Sequence, residues 1–486
     1  MGKFLGAAAL VVVLILGVSL WRASDLPSPY LDVPEAPAPD YDAAIVAQHL
    51  SEAVQMRTIS WSPTAETEGA SFLAFHSWLQ RTYPNAHSTL SRETVNGYSL
   101  LYRWQGKDAS KTPIGFLGHM DVVPIETGTE DTWTHPPFDG VIEDGFVWGR
   151  GAVDDKSTVV LLMEAVERLT AEGFQPEQDI YLAFGHDEEI GGQRGAVKIA
   201  DLLASRGIRF DWILDEGLTI LEGFLDFIDG PMAVVGLAEK GFLTLELVAR
   251  DSGGHSSTPR ADTAVSKLAR AVDRVQSNPF PIEIDEADAA NLHAIAGEMP
   301  FMQRLAAANL WLFGPLVKSS LSEPAYSAAQ YRTTTAATVF NGGSKENILP
   351  QEARALINFR IHPRNTIDEI VARTQELVGD DIEVSIYAKP NNPPAPSDIG
   401  GAAYGLITAS LGDAFGPIAA APSLVVGATD SRFYADVTNE TFRFTPVVMT
   451  LEQFSGFHGT NERAAVADLG RSVAFYERMI RRASGE

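Results

Sequence analysis

Cysteine is absent from all 486 residues, so the chain can form neither a disulfide nor a thiolate metal site. Basic residues are scarce beside acids, 37 Lys and Arg against 63 Asp and Glu, for a formal net charge of -26. That balance argues against nucleic acid or an anionic membrane as partner, because both recruit basic patches. No internal repeat is present, and compositional bias is confined to one Pro-rich stretch near the N-terminus. At roughly 100–200 residues per domain, the length predicts two or three domains with ample core.

One long apolar run stands out, from Phe4 to Trp21, closed by Arg22. As a helix it would extend roughly 27 Å, just enough for a hydrocarbon core of about 30 Å. The run ends in Ser19-Leu-Trp-Arg22, a poor cleavage site, which favours an uncleaved membrane anchor over a signal peptide. Either way the globular part is expected to be exported, as an anchored or a secreted or periplasmic protein. Lys3 and Arg22 flank the run at both ends and orient it only weakly.

Residues 1–24 are therefore the anchor or signal segment. Residues 25–41, including Val33-Pro-Glu-Ala-Pro-Ala-Pro39, read as an extended spacer holding the rest off the membrane. Strand-like runs (Ile114–Leu117, Asp179–Phe184, Trp212–Leu214) then alternate with helix-like ones (Thr158–Thr170, Ala196–Arg206). This predicts an α/β domain with a mostly parallel sheet and helices on both faces. The pattern changes near Glu239. Gly241–Ala249, Ala353–Arg360 and Ile382–Ile386 look like antiparallel strands, so residues 238–388 read as an inserted α+β domain. The first domain would then comprise 42–237 and 389–486. Within the insert, Met299–Leu316 is unusually apolar: a core or lid-packing helix pair, or a greasy wall for an apolar substrate or the membrane.

Candidate functional residues cluster just after the predicted strands, where sites in open α/β sheets gather. His119 and Asp121 in Gly118-His-Met-Asp121 can face the same way in extended backbone, the first as metal ligand and the second orienting it. Asp154 and Asp155 in Gly149-Arg-Gly-Ala-Val-Asp-Asp-Lys156 stand at the mouth of a helix and could be ligands or simply caps. Glu188-Glu189 is harder to explain structurally, since adjacent carboxylates repel unless solvated or neutralised. Metal ions would neutralise them, one glutamate as ligand and its neighbour as general base. Asp215-Glu216 repeats the pattern after another strand, and His458 in Phe457-His-Gly-Thr-Asn-Glu462 is a second imidazole. His49, His76, His87, His135, His186, His293 and His362 lack such settings and read as surface or hydrogen-bonded residues. Two divalent ions would be neutralised by Asp154, Glu189, one acid of Asp215-Glu216 and a hydroxide. Two imidazoles with oxygen ligands suit Zn²⁺, with Mn²⁺ or Co²⁺ as alternatives.

Together, from about residue 42 to the C-terminus, these fragments resemble the M20 metallopeptidase family of aminoacylases and glutamate carboxypeptidases. The segment Arg332–Pro350, with the apolar stretches, is similar to its carboxypeptidase S branch. That branch holds Gly-X carboxypeptidases and N-fatty-acyl-amino-acid hydrolases. The resemblance implies a di-metal catalytic domain with an inserted lid and dimerisation domain. It implies two Zn²⁺ held by His119, Asp154, Glu189, Asp215 or Glu216, and His458, with Asp154 bridging, Glu188 as general base and Asp121 orienting His119. It further implies that His255 in Ser252-Gly-Gly-His255 reaches the scissile carbonyl oxygen. Asn347 and Arg360 would bind a substrate carboxylate beside the Gly427-Ala-Thr-Asp-Ser-Arg432 loop, where Ala428 replaces a frequent glycine. The expected activity is hydrolysis of an amide next to a free carboxylate, on short peptides or N-acyl amino acids, in a chain that could form a homodimer. A non-catalytic exported binding protein is the remote alternative.

Overall fold

The computed structural model describes residues 2–486; only Met1 of the predicted N-terminal segment lies outside them. The chain is built on an eight-stranded sheet. Its strands run in the spatial order Ser91–Val95, Ser99–Trp104, Ile180–Gly185, Ile114–His119, Ile213–Glu222, Thr441–Thr450, Pro231–Glu239 and Ala419–Val425. The centre is parallel, with Ile114–His119 pairing in that sense to strands on both sides and Thr441–Thr450 running parallel to Ile213–Glu222. Antiparallel pairing occurs in the Ser91–Trp104 hairpin, between Ser99–Trp104 and Ile180–Gly185, and where Pro231–Glu239 meets Ile213–Glu222 and Thr441–Thr450. The sheet is therefore mixed, and its parallel pairs are joined by long crossover connections, as parallel pairing requires.

Alternate residues along the central strands enter different cores, as the two-residue strand period requires. Leu100, Tyr102, Phe116, Leu182 and Phe184 pack with the Lys156–Ala171 and Val466–Ala483 helices. Leu101, Leu117, Tyr181 and Ala183 pack instead with Ile199 and Leu203 of the Ala196–Ser205 helix. Helices thus cover both faces. The continuous apolar runs of these strands are buried on both sides, and their carboxyl ends are left free to carry chemistry.

A separate four-stranded antiparallel sheet is ordered Thr334–Gly342, Glu352–Ile361, Gly241–Arg250, Ile382–Ile386. Leu243, Leu245, Leu247, Ile357 and Phe359 bury one of its faces under the Ala264–Ser277 and Ile367–Val378 helices. Both helices begin in capping boxes, Thr263 with Ser266 and Thr366 with Glu369.

The Pro-rich stretch does not stand off as a free spacer. Leu31 N–H donates to the Ile418 carbonyl, Ala420 N–H donates to the Pro29 carbonyl, and Tyr30 pairs with Ala419. Proline has no N–H to offer a neighbour, but its carbonyl can still dock on a strand edge, as Pro29 does. The N-terminal helix, Gly2–Ser24, has a mean hydropathy of 2.6 over Phe4–Ser24 and is largely exposed. The Met299–Leu316 region forms two helices, Phe301–Ala308 and Leu310–Ser322. They bury chiefly small or polar residues (Ala307, Ala308, Asn309, Gly314), while Phe301, Met302, Trp311, Leu312 and Leu316 remain exposed. Core packing accounts for only part of their apolar character.

Candidate metal centre

The ends of two strands, the Asp215-Glu216 stretch inside a third and the loops of Asp154 and His458 come together. His119 closes the Ile114–His119 strand and is 1% exposed. Its Nδ1 lies 3.0 Å from the Asp121 carbonyl and 3.3 Å from the Asp121 carboxylate. Those acceptors favour a proton on Nδ1, which leaves Nε2 for a ligand. Asp121 also accepts the backbone N–H of Glu188 at 3.1 Å and of Glu189 at 3.2 Å. One buried carboxylate therefore aims the imidazole and fixes the turn that carries both glutamates.

Asp154 sits between the two histidines. Its Oδ1 is 3.0 Å from His119 Nε2, and its Oδ2 is 2.8 Å from His458 Nε2. His458, held at φ +55°, also lies 3.2 Å from Glu189 Oε2. His119, Asp154 and Glu189 offer ligand atoms all within 4.8 Å of one another. Burial alone would raise Asp154, but hydrogen bonds from both imidazoles hold it well below the usual carboxylate range. The same bonds to Asp154 and Glu189 push His458 up to about 10. Such a set takes a proton or a metal cation at the same atoms, so the two compete.

The neighbouring acids are strained by crowding. Burial, then the Asp430 carboxylate, pushes Glu188 well above its ordinary value, with Arg432 Nη1 opposing at 3.7 Å from Oε1. Burial and Asp154 push Glu189 up to about 7, and its Oε1 is buried without a hydrogen-bond partner. Burial and the Asp155, Asp215 and Asp154 charges likewise raise Glu216. A divalent cation would relieve this repulsion, and the donors are the hard oxygens and imidazole nitrogens such an ion prefers. The residues fit a metal.

The two acids of Asp215-Glu216 are not equivalent. Asp215 is committed to backbone donors, Oδ1 accepting from Glu216 N–H at 2.9 Å and Oδ2 from Ser431 N–H at 2.8 Å. No hydrogen bond engages the Glu216 carboxylate among the described residues, and its charge neighbours are Asp155, Asp154 and His119. Asp155 occupies the N-cap position of the Lys156–Ala171 helix but makes no side-chain cap bond. Its Oδ2 accepts the His119 N–H at 3.0 Å instead. A Cβ at position 118 would come within 2.9 Å of that oxygen, which is why glycine precedes His119.

The residues expected around a substrate are divided. Arg360 stacks over Phe242, and its charge neighbours are Arg432 and Glu188. His255 is exposed, and its Nδ1 accepts from Ser257 at 2.7–3.1 Å rather than engaging the clustered residues. Asn347 is exposed beside it, its carbonyl accepting from Ser256 N–H, and Gly427 lies in an open loop. The remaining histidines are tied to structural partners, as with His76 to the Tyr98 carbonyl, His186 to Ser99 and His293 to the Ala307 carbonyl.

Sequence reasoning assigned no role to a buried pair that builds the site. Arg150 Nη1 meets Glu462 Oε2 at 2.6 Å, and Nη2 donates to the Gly459 carbonyl next to His458. Glu462 Oε1 accepts the N–H groups of Gly151, Val153 and Asp154 at 2.9–3.1 Å. Both residues stand inside recognised motifs, the only signal available, since 312 positions separate them. Asp430 was likewise only part of a loop motif. It is buried with both oxygens unpartnered, and a Cβ at Gly185 would meet it at 2.6 Å.

Residues 115–482 match the Peptidase family M20/M25/M40. The chain belongs to that family. It is 37% identical over 441 residues to a probable carboxypeptidase S-like 2 of Dictyostelium discoideum, covering 90% of this chain and 84% of that one. It is 35% identical over 440 residues to the N-fatty-acyl-amino acid synthase/hydrolase PM20D1 of Xenopus tropicalis, covering 90% and 85%. Among solved structures, the M20 family metallo-carboxypeptidase Sso-CP2 of Sulfolobus solfataricus superposes with a TM-score of 0.67 at 17% identity, covering 91% and 99%. The M20 chain described here is accordingly a hydrolase of carboxypeptidase or aminoacylase type, in a family whose members bind metal.

Glu462→Gln leaves the Arg150 guanidinium buried without its counter-charge. We expect about 3–5 kcal/mol of lost stability, measured by urea denaturation, together with weaker divalent binding by calorimetry. Wild-type stability in this variant would show that the pair does not organise the ligand loops.

Proposed function

We propose that this M20 hydrolase cleaves an amide bond adjacent to a free carboxylate, using two Zn²⁺ ions (or Mn²⁺ or Co²⁺). The ligands would be His119, Asp154, Glu189, Glu216 and His458, with Asp154 lying between the two imidazoles. Bound there, the metals would supply Lewis-acid polarisation of the scissile carbonyl and lower the pKa of an attacking water. The observation that carries the reading is Glu188: a largely but not fully buried carboxylate beside the ligand cluster, facing Arg432 and within reach of the Arg360 charge.

Glu188 takes the proton of the attacking water and returns it to the leaving amine. Its environment suits both halves of that task, since crowding by acids favours accepting a proton and Arg432 favours releasing it. Asp121 keeps Glu188 and His119 in register through the bonds described above. Arg360 and Arg432 attract the substrate carboxylate, and a guanidinium can hold it through two parallel hydrogen bonds. Asn347 and Gly427 would line the same region. His255 would stabilise the oxyanion once the inserted domain carries it inward.

The acyl side of the substrate divides the relatives. Gly-X dipeptides suit the carboxypeptidase S-like relatives; N-fatty-acyl amino acids suit the PM20D1 relatives. The exposed apolar helices and the N-terminal helix, read as an uncleaved anchor with the globular part exported, favour tolerance of apolar acyl groups.

Three measurements test this. Gly-X dipeptides, N-acyl amino acids of rising chain length and their C-terminal amides would be assayed with wild type and Arg360→Ala. We expect the variant to lose about 10–100-fold in kcat/KM on free carboxylates and little on amides; equal losses would remove Arg360 as the anchor. Glu188→Gln should keep its zinc by elemental analysis while turnover falls about 10²–10⁴-fold, and retained turnover would remove it as the base. Glu216→Gln should bind one zinc equivalent fewer while Asp215→Asn keeps the full complement; the opposite pattern would reverse the ligand assignment.

A further inference from the structure

The helix pair Phe301–Ala308 and Leu310–Ser322 takes no part in the bond-breaking chemistry above, yet its apolar side lies open. It exposes Met302 (70%), Leu316 (64%) and Trp311 (55%), with Phe301 and Leu312 beside them in sequence. Exposure of this kind in a chain of net charge -26 needs a reason. Between Met299 and Ser322 there is no Asp or Glu, while Arg304 and Lys318 are present. The pair is thus an acid-free, weakly cationic apolar island on an acidic protein.

Its position supplies the reason. The Phe301–Ala308 helix packs on the N-terminal helix. Ile15, Ser19 and Ala23, spaced by four, are the residues that helix turns inward, while Leu10, Leu14 and Leu16 stay exposed. Asn309, at the junction of the two helices, donates from Nδ2 to the Ser19 carbonyl at 3.0 Å. Leu26, just past the N-terminal helix, packs with Met299, Leu310 and Val317. Ser19 lies inside the apolar run, about 4.5 Å deeper than Arg22 at a 1.5 Å rise per residue. A residue bonded to Ser19 is therefore at the membrane interface whenever the N-terminal helix spans the bilayer. Trp21 and Trp311 both suit that level, where indole rings concentrate.

We infer that the Phe301–Ala308 and Leu310–Ser322 helices form a lipid-docking surface continuous with the N-terminal helix, seated in the interfacial layer of the bilayer that the helix enters. This rests on reading that helix as an anchor. The surface would bring the globular part against the membrane in one orientation, where amphiphilic substrates with an apolar acyl chain and a carboxylate head are concentrated.

The absence of cysteine makes the test direct. Single substitutions Met302→Cys, Trp311→Cys and Leu316→Cys in the full chain would carry a nitroxide label, in phosphatidylcholine nanodiscs. Leu10→Cys reports the N-terminal helix, and Tyr387→Cys, exposed in the inserted domain, reports water. Oxygen and a nickel chelate serve as lipid-soluble and water-soluble relaxants. We expect positions 10, 302, 311 and 316 to favour oxygen and 387 to favour nickel. Water-like values at 302, 311 and 316 overturn the inference, whatever position 10 reports. Exclusion of both relaxants at those sites also overturns it, because the surface would then be covered by protein. A water-like position 10 removes the anchor separately; lipid values at 302, 311 and 316 in that case would still support docking.

Discussion

Too many carboxylates converge on too few cations at the ends of the central strands. Asp121, Asp154, Asp155, Glu188, Glu189, Asp215 and Glu216 lie close together, most of them buried. In a low-dielectric interior such a group is unstable unless each charge is hydrogen-bonded, paired or neutralised. The fold sorts them. Asp121, Asp155 and Asp215 are spent on backbone N–H groups and hold turns in place. Asp154 and Glu189 meet imidazoles instead, Glu188 faces a guanidinium, and Glu216 has no hydrogen bond to its carboxylate among the described residues. The first group is architecture. The second is the excess negative charge that a pair of divalent ions would balance, and its location is set by the first.

This division explains why the site needs contributions from distant parts of the chain. The turn before Asp154 has no secondary structure of its own to satisfy its N–H groups. Glu462 accepts three of them, and Arg150 returns along the same pair to the loop of His458. One buried ion pair thereby joins the backbone at Asp154 to the backbone beside His458, two members of the candidate cluster far apart in sequence. Such a pair adds little net stability over an apolar equivalent, because both ions must be desolvated. It makes misalignment costly instead, since any shift leaves a buried charge unpaired.

Much of this was legible in the sequence where local pattern determines structure. The strands ending at His119 and Gly185 and the helices after Asp155 and Gly195 follow from apolar runs and periodicity, and Glu188-Glu189 stands where a strand stops. Asp215-Glu216, expected after a strand, lies instead inside Ile213–Glu222. What was not legible depends on partners brought by tertiary folding. Asp215 and Glu216 are chemically similar neighbours; the backbone donors that engage Asp215 and not Glu216 include Ser431, 216 positions away. Capping was a fair expectation for Asp155, yet the His119 N–H across the sheet end captures its carboxylate. Periodicity showed that Met299–Leu316 was apolar, but not that its apolar side would lie open. The Pro-rich stretch looked like a spacer because composition reports stiffness and not docking.

That docking changes what an N-terminal anchor can do. A flexible tether lets a domain tumble, and its reach grows only as the square root of its length. Here little length is free. Asp25 N–H still bonds the Trp21 carbonyl, Leu26 is packed under the exposed helix pair, and Tyr30 pairs with the edge strand at Ala419. Val33 then lies against Gly412 and Pro39 against Gly470. The chain runs from the apolar helix directly onto the body that carries the candidate metal centre. An anchor joined this way specifies orientation as well as proximity. The strand Ala419–Val425, which the Pro-rich stretch grips at its start, leads at its other end into the Gly427–Arg432 loop beside Glu188. The contact of the Pro-rich stretch and the Gly427–Arg432 loop are thus opposite ends of one strand, so the position of the N-terminal segment and that of the loop are set by the same element.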